Sequence, residues 1–251
     1  MAQPPLISII MPAYNAEATI SESIDSVLAQ TYDNWELIVV DDASTDSSPR
    51  IIQDYATKDT RIRSLQNPKN SGVAATRNRA IANAGGKYLA FLDSDDLWHK
   101  DKLEKQLNLM QTTGAKISFT ATSYITKSGH MSSYIQEVPP TFTYQNLLRR
   151  NLMSCSSVMV ELATMLPFPK GHMHEDYATW LQIIRNTGHA CGLNEPLLIY
   201  RLSDTSKSAK RLNSAVMIWN AYRHVGYNQV SSTVLTLRYS LHSIKKRSRI
   251  R

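Results

Sequence analysis

Short apolar runs at residues 6–11, 35–40, 61–65 and 88–92 alternate with stretches whose apolar residues recur at helical spacing, and this alternation constrains the fold more than any other feature. Ile20, Ile24, Val27 and Leu28 mark a helix after the first run, and Ile51, Ile52 and Tyr55 mark one after the second. Residues 73–84, closed by Gly85, form a third helix. Parallel strands need a crossover between them, so the alternation predicts an α/β chain built on a doubly wound, mainly parallel sheet. The first strand is expected to break at Pro12, and a helix is expected from about Asp96, with Leu103, Leu107 and Met110 on one face.

The predicted strands end in polar groups. The first run leads into Pro12-Ala13-Tyr14-Asn15, the second into Asp41-Asp42, and the fourth into Asp93-Ser94-Asp95-Asp96. In an open α/β sheet ligands sit beyond the carboxyl ends of the strands, so these loops converge on one crevice. There Tyr14 can pack on a base, and Asp42 can accept hydrogen bonds from a pyrimidine or ribose. Asp93 and Asp95, two residues apart, can both turn onto one hard cation such as Mn²⁺ or Mg²⁺ that still takes phosphate oxygens. The same acids also read as turn residues and as caps of the next helix. Arg77 and Arg79 are either diphosphate contacts or solvated charges.

With 251 residues, 42% of them hydrophobic, the chain can bury one sizeable domain. Its apolar runs fall short of the roughly 20 residues that cross a bilayer, and no signal peptide precedes them, which places the protein in the cytoplasm. Cys155 and Cys191 have no metal-ligand spacing and read as ordinary thiols. The net charge of +7 is uneven: residues 1–200 hold 17 Lys/Arg against 20 Asp/Glu, whereas 201–251 hold 11 against Asp204 alone. A basic tail of this kind reads either as a solvated surface helix or as a contact to an anionic membrane surface, and the membrane is the expected partner. It lacks a nucleic-acid reading motif, so no nucleic-acid partner is expected. Val234, Leu235, Leu237, Leu241 and Ile244 leave an apolar strip beside the basic end, as in a helix lying on a membrane.

Residues 115–170 read as strands that complete the sheet. The run 172–181 then opens a helix with His174, Glu175 and Asp176 and continues to Trp180 on its apolar side. Acids are favoured at a helix start in any case. His172, His174 and Asp176 also have the spacing of a zinc hydrolase motif, incomplete because Tyr177 follows Asp176. After a short strand at 197–200, residues 201–208 read as a polar loop in which Arg201 and Lys207 are available to phosphate.

Pro12 to Asn15, the run 26–32, Glu36 to Asp46, Asn70-Ser71-Gly72 with Ala75 to Asn78, and Gly86 to Asp96 together resemble the family 2 glycosyltransferases of bacterial surface-polysaccharide synthesis, over about 100 contiguous residues. The resemblance implies the A-type glycosyltransferase fold, an inverting transfer from a nucleotide-diphosphate sugar, by expectation a UDP-sugar, and a Mn²⁺ or Mg²⁺ ion. It implies that Pro12, Ala13, Tyr14, Asn15, Asp41, Asp42, Arg77 and Ser94 hold the nucleotide, and that Asp93 and Asp95 hold the metal, with Asp96 or Glu175 as further carboxylates. Asp176 is the expected base, His174 and Trp180 lie on the acceptor side, and Ser203 stands where many members have a His. The expected division is a catalytic domain at 1–208, with halves at 1–113 and 114–208, and a basic helical extension at 209–251. The expected acceptor is a hydroxyl of a glycan or lipid-linked glycan at the inner face of the membrane. A zinc hydrolase and a non-catalytic nucleotide-sugar-binding module are the alternatives.

Overall fold

The structure is a computed structural model that describes residues 3–126, 129–202 and 211–250, with the side chains of 211, 212 and 242–250 excepted. Its first half follows the predicted alternation: β1 (Ile7–Ala13), α1 (Ile20–Leu28), β2 (Trp35–Asp41), α2 (Ser48–Lys58), β3 (Ile62–Gln66), α3 (Val73–Ala82) and β4 (Tyr88–Phe91). The second half runs β5 (Leu97–Trp98), α4 (Lys102–Thr113), β6 (Ile117–Ile125), β7 (Thr141–Thr143), α5 (Tyr144–Arg149), β8 (Val158–Glu161), α6 (Glu175–Thr187), β9 (His189–Arg201), α7 (Arg211–His224) and α8 (Gln229–Ile250).

Among the described residues one nine-stranded sheet forms, in the order β3-β2-β1-β4-β8-β6-β9-β5, with β7 pairing β9. β1, β2, β3 and β4 pair in parallel, but β8 runs antiparallel to both of its neighbours, and β5 and β7 run antiparallel to β9. The sheet is therefore parallel in its nucleotide-side half and mixed beyond it. Residues 141–149, expected as strand, include α5, whose start is fixed by a Thr143–Asn146 capping box.

β1 does not break at Pro12. Pro12 lies opposite Val40 in register, and its missing N–H falls on the β4 side one step beyond Ile10, whose carbonyl accepts the last bond from Leu92 N. The ladder loses nothing there. α4 begins at Lys102 rather than near Asp96, because Leu97 and Trp98 pair with Ile199 and Leu198 of β9.

Successive strand residues face opposite layers, and both layers are apolar. Ile10, Ile38, Val40, Leu89 and Phe91 pack beneath α3, α5, α6 and α7, while Ile7, Ile9, Met11, Leu37, Val39 and Ala90 pack beneath α1, α2 and α4. α7 contributes Ile218, Ala221 and Tyr222 to the first layer, with Val225 just after it, so the helices after 209 share the core of the preceding domain.

Candidate active site

The carboxyl ends of β1, β2 and β4 meet the N-terminus of α6. Asn15 and Ala43 both adopt left-handed backbone angles, φ 48° and 59°, where the loops turn back. Asn15 Oδ1 accepts from Thr45 N at 2.9 Å, and Asn15 N donates to Ser44 Oγ at 2.9 Å, so the loops after β1 and β2 are clipped together. Tyr14, 51% exposed, stands free at the rim.

Asp41 Oδ2 accepts from Ser44 N and Gln66 Nε2. Asp42 accepts from Asn67 Nδ2 at 2.7 Å, Ser71 N at 2.9 Å and Gly72 N at 2.8 Å. Burial alone would raise the Asp42 carboxyl, but these donors hold it below its ordinary value. Both acids thus shape the loops that surround the crevice. Gly72, at φ 81°, makes the turn that aims its N–H at Asp42 and starts α3.

α3 carries Arg77, whose guanidinium is 4% exposed and lies between two carboxylates: Nη2 to Asp93 Oδ1 at 2.6 Å and Nη1 to Glu175 Oε1 at 3.0 Å. This buried charge ties the end of β4 to the start of α6, whose Glu175 lies 98 residues beyond Arg77 in the chain. Asp93 N donates to Ser156 Oγ, which donates to Asp96 Oδ2 at 2.6 Å, and Asp96 Oδ1 accepts from Arg201 N at 3.1 Å. Asp96 is buried, and burial followed by the charges of Asp95 and Asp93 pushes its carboxyl well above the ordinary range. It faces inward as an anchor of the loop. Ser94 presents its carbonyl to Thr19 Oγ1.

Burial and then the Asp93 charge push Asp95 up to about 6, despite Arg201 and Arg77 nearby. Arg77 takes one oxygen of Asp93, and the two hard carboxylate donors, two residues apart, still fit a divalent cation that takes its remaining ligands from a diphosphate. Arg201 donates through Nε to the Asp95 carbonyl and through Nη2 to Glu22 of α1, so its side chain braces the acidic loop. Lys207 and Ser203 lie outside the described residues.

Glu175 and Asp176 occupy the first turn of α6, with His174 at its N-cap. Burial and then the Glu175 charge raise the Asp176 carboxyl above its ordinary value, with His174 and Arg77 opposing. His174 Nε2 meets Ser214 Oγ at 3.2 Å, and His172 Nε2 meets Asn213 Oδ1 at 2.7 Å. Both histidines point to α7. Among the described residues no three His, Cys, Asp or Glu side chains are grouped to hold a metal ion, so the zinc reading of 172–176 is withdrawn. Trp180, expected on the acceptor side, is fully buried, with its ring 5.5 Å from Phe91 and 5.7 Å from Phe168. A residue four positions into the helix from Asp176 returns to the same inward face as the core.

Sequence reasoning missed Ser156, Glu22 and Lys102. Lys102 is buried with Nζ 4.1 Å over the Trp98 ring and donates to Gln106 Oε1 at 2.7 Å. Only the Lys102–Gln106 pair, four apart on one helix, left a local signal.

A parallel half carrying an acidic loop, joined to a mixed half that supplies a second acidic helix start, is the A-type glycosyltransferase fold. The model described as Glycosyl transferase family 2 matches residues 8–160, and the chain belongs to that family. The chain is 38% identical over 246 residues to TuaG of Bacillus subtilis, named for teichuronic acid biosynthesis, covering 97% of this chain and 98% of TuaG. It is 35% identical over 249 residues to WfgD of Escherichia coli, a UDP-Glc:α-D-GlcNAc-diphosphoundecaprenol β-1,3-glucosyltransferase, covering 96% and 94%. Among solved structures, residues 1–349 of Staphylococcus aureus TarS in complex with UDP superpose with a TM-score of 0.68 at 25% identity, over 92% of this chain and 69% of that one. The TarS complex with UDP-GlcNAc gives 0.74 at 21% identity, covering 92% and 70%.

Proposed function

We propose that this glycosyltransferase moves a sugar from a UDP-sugar to a hydroxyl of a lipid-linked glycan, with inversion at the anomeric carbon. One observation carries the reading: Arg77 bridges Asp93 and Glu175, which sets Asp176 beside the acidic loop as a base set beside a diphosphate site must be. UDP as the nucleotude part of the donor is supported by the UDP complex of TarS and by the donor in the name of WfgD, whose diphosphoundecaprenol acceptor supports the lipid-linked class.

In this reading Tyr14 stacks on the uracil at the rim, and the loops clipped by Asn15, Asp41 and Asp42 enclose the nucleoside, with Pro12, Ala13 and Ser94 in the wall. Asp93 and Asp95 would hold Mn²⁺ or Mg²⁺, which would neutralise charge on the diphosphate. Asp176 takes the proton of the acceptor hydroxyl as its oxygen bonds to the anomeric carbon. The bond from that carbon to the diphosphate oxygen breaks, and the electron pair leaves with UDP. A carboxyl raised by burial is the stronger base for this step. His174, at the N-cap beside it, faces the acceptor side.

No helix among the described residues is long and apolar enough to cross a membrane. The basic C-terminal fifth supports seating on the cytoplasmic face of an anionic membrane, where a lipid-linked acceptor is presented. The deciding experiment is a thermal-shift and calorimetric screen of nucleotide sugars with Mn²⁺, followed by transfer assays on polyprenyl-diphosphate sugars. Binding of a UDP-sugar with turnover on such an acceptor is expected. A chain that binds no UDP-sugar, or that transfers only to soluble acceptors, contradicts the proposal.

A further inference from the structure

The C-terminal helix α8 is apolar on two sides. Leu235 and Tyr239 pack against the core, whereas Val230, Val234, Leu237 and Leu241 are between 45% and 75% exposed. Spacings of four, three and four residues place those four on one stripe of the helix, within about 40° of its centre line. The stripe borders α7. Trp219 Nε1 donates to Thr233 Oγ1 at 3.2 Å, the Arg223 guanidinium lies 5.8 Å over the Trp219 ring, and Val216, one turn before Trp219, is 50% exposed. α7 thus serves three directions. Ile218, Ala221 and Tyr222 enter the core; Asn213, Ser214 and Asn220 bond His172 and His174 in the loop before α6; and Val216 and Trp219 face outward beside α8.

We propose that the outer face of α7 and α8 is a membrane-docking surface, and that it seats the 172–176 loop at the bilayer where the lipid-linked acceptor of the proposed transfer reaction is held. The identification of the partner rests on charge. The sequence after Leu241 carries Lys245, Lys246, Arg247, Arg249 and Arg251 and no acid, a charge that a second copy of the chain repels and an anionic surface attracts. An anionic lipid surface answers those charges, at on the order of fivefold in affinity for each Lys or Arg near it, and also takes up the apolar stripe, which a nucleic acid would leave in water. A half-buried tryptophan at the border of stripe and polar surface is the side chain that bilayer interfaces favour. The link to catalysis is short: Trp219 lies five residues, about 8 Å along the helix axis, from the Ser214 contact to His174.

The inference rests on the transferase reading for its purpose but is tested apart from it. The 251-residue chain is mixed with vesicles of equimolar phosphatidylglycerol and phosphatidylcholine, or of phosphatidylcholine alone, and sedimented at low and high salt. Sedimentation with the anionic vesicles, weakened by salt, is expected, with a shift of tryptophan emission to shorter wavelength. Trp35, Trp98 and Trp180 are buried, so that shift reports Trp219. The double variant Leu237→Glu, Leu241→Glu should bind those vesicles at least about tenfold more weakly, with thermal midpoint and UDP binding unchanged. The surface is misassigned if the parent stays in the supernatant, or if the variant sediments as the parent does. It is equally misassigned if the parent is a dimer that the variant dissolves and neither binds vesicles. A parent that binds vesicles but no nucleotide sugar would retain the docking surface and remove the transferase reading.

Discussion

Arg77 lies between Asp93 and Glu175 with its guanidinium out of water. Removing one member of a buried ion pair strands the others, which costs about 3–5 kcal/mol. Arg77→Met is therefore expected to lose about that much in a denaturant melt and to lower kcat, and Arg77→Lys to recover only part because an ammonium lacks the two-armed fork. If Arg77→Met instead raised only the KM for donor, with stability and kcat intact, the residue would be a nucleotide ligand, as the family resemblance implies. Asp176→Asn keeps the size of the side chain but cannot take a proton. Its turnover should fall by about 10²-fold or more while UDP binding by calorimetry stays within a few-fold.

The raised Asp176 carboxyl also sets a pH dependence. Only its ionised form is a base, so kcat/KM should rise with pH through a limb lying above the ordinary carboxylate value near 4, and Asp176→Asn should lack that limb. Asp95 titrates near 6, so a cation there displaces a proton at lower pH, and its apparent affinity should fall about tenfold per unit below that point. A carboxyl raised in the folded state binds protons more tightly than in the unfolded chain. The stability that Asp95 contributes is thus present at low pH and lost as pH rises through about 6. The thermal midpoint gained on adding Mn²⁺ should accordingly be larger at roughly pH 7.5 than at roughly pH 5, and equal gains would remove the metal from this pair.

At the scale of elements, α4 follows the acidic loop in the chain, and Lys102 in its first turn is wholly buried. Burial lowers its ammonium to about 7, although the face of Trp98 favours the charged form. A lysine lowered in the folded state destabilises the fold below that value, and the cost fades as pH climbs from about 7 towards the ordinary lysine value. Lys102→Met should then stabilise the protein near neutral pH by about 2 kcal/mol, after allowing for the donor lost at Gln106, and should flatten the rise of thermal midpoint with alkaline pH. A variant less stable than the parent at neutral pH would mean that the bond to Gln106 and the ring outweigh desolvation.

At the scale of the whole molecule, the basic fifth of the chain is not set apart from the rest. Met217, Ile218, Ala221, Tyr222 and Val225 are buried, and Tyr222 shares a hydrogen bond with Tyr177 of α6 at 2.9 Å. Fully burying an apolar side chain of this size contributes about 1.5–3 kcal/mol, so losing α7 would remove a sum comparable to the 5–15 kcal/mol of an entire domain. A chain ending at residue 208 is expected to be insoluble or to lose its cooperative melt. A stable, cooperatively melting 1–208 fragment would show that the boundary at 208 separates independent units.

By itself the sequence determined the alternation of strands and helices, the polar ends of β1, β2 and β4, and the acidic start of α6, because periodicity, turn chemistry and the end of an apolar run are local properties. It also carried the charge imbalance, a property of composition. Tertiary structure alone decided that Arg77 reaches Glu175 across 98 residues, that Ser156 joins Asp93 to Asp96, and that Lys102 is buried. It decided too that Trp180 faces the core, and that in α8 Leu235 turns inward while Val234, Leu237 and Leu241 turn out. Each of these depends on which elements pack together from distant parts of the chain, and a helix with apolar residues on two sides does not reveal from spacing which side meets the core.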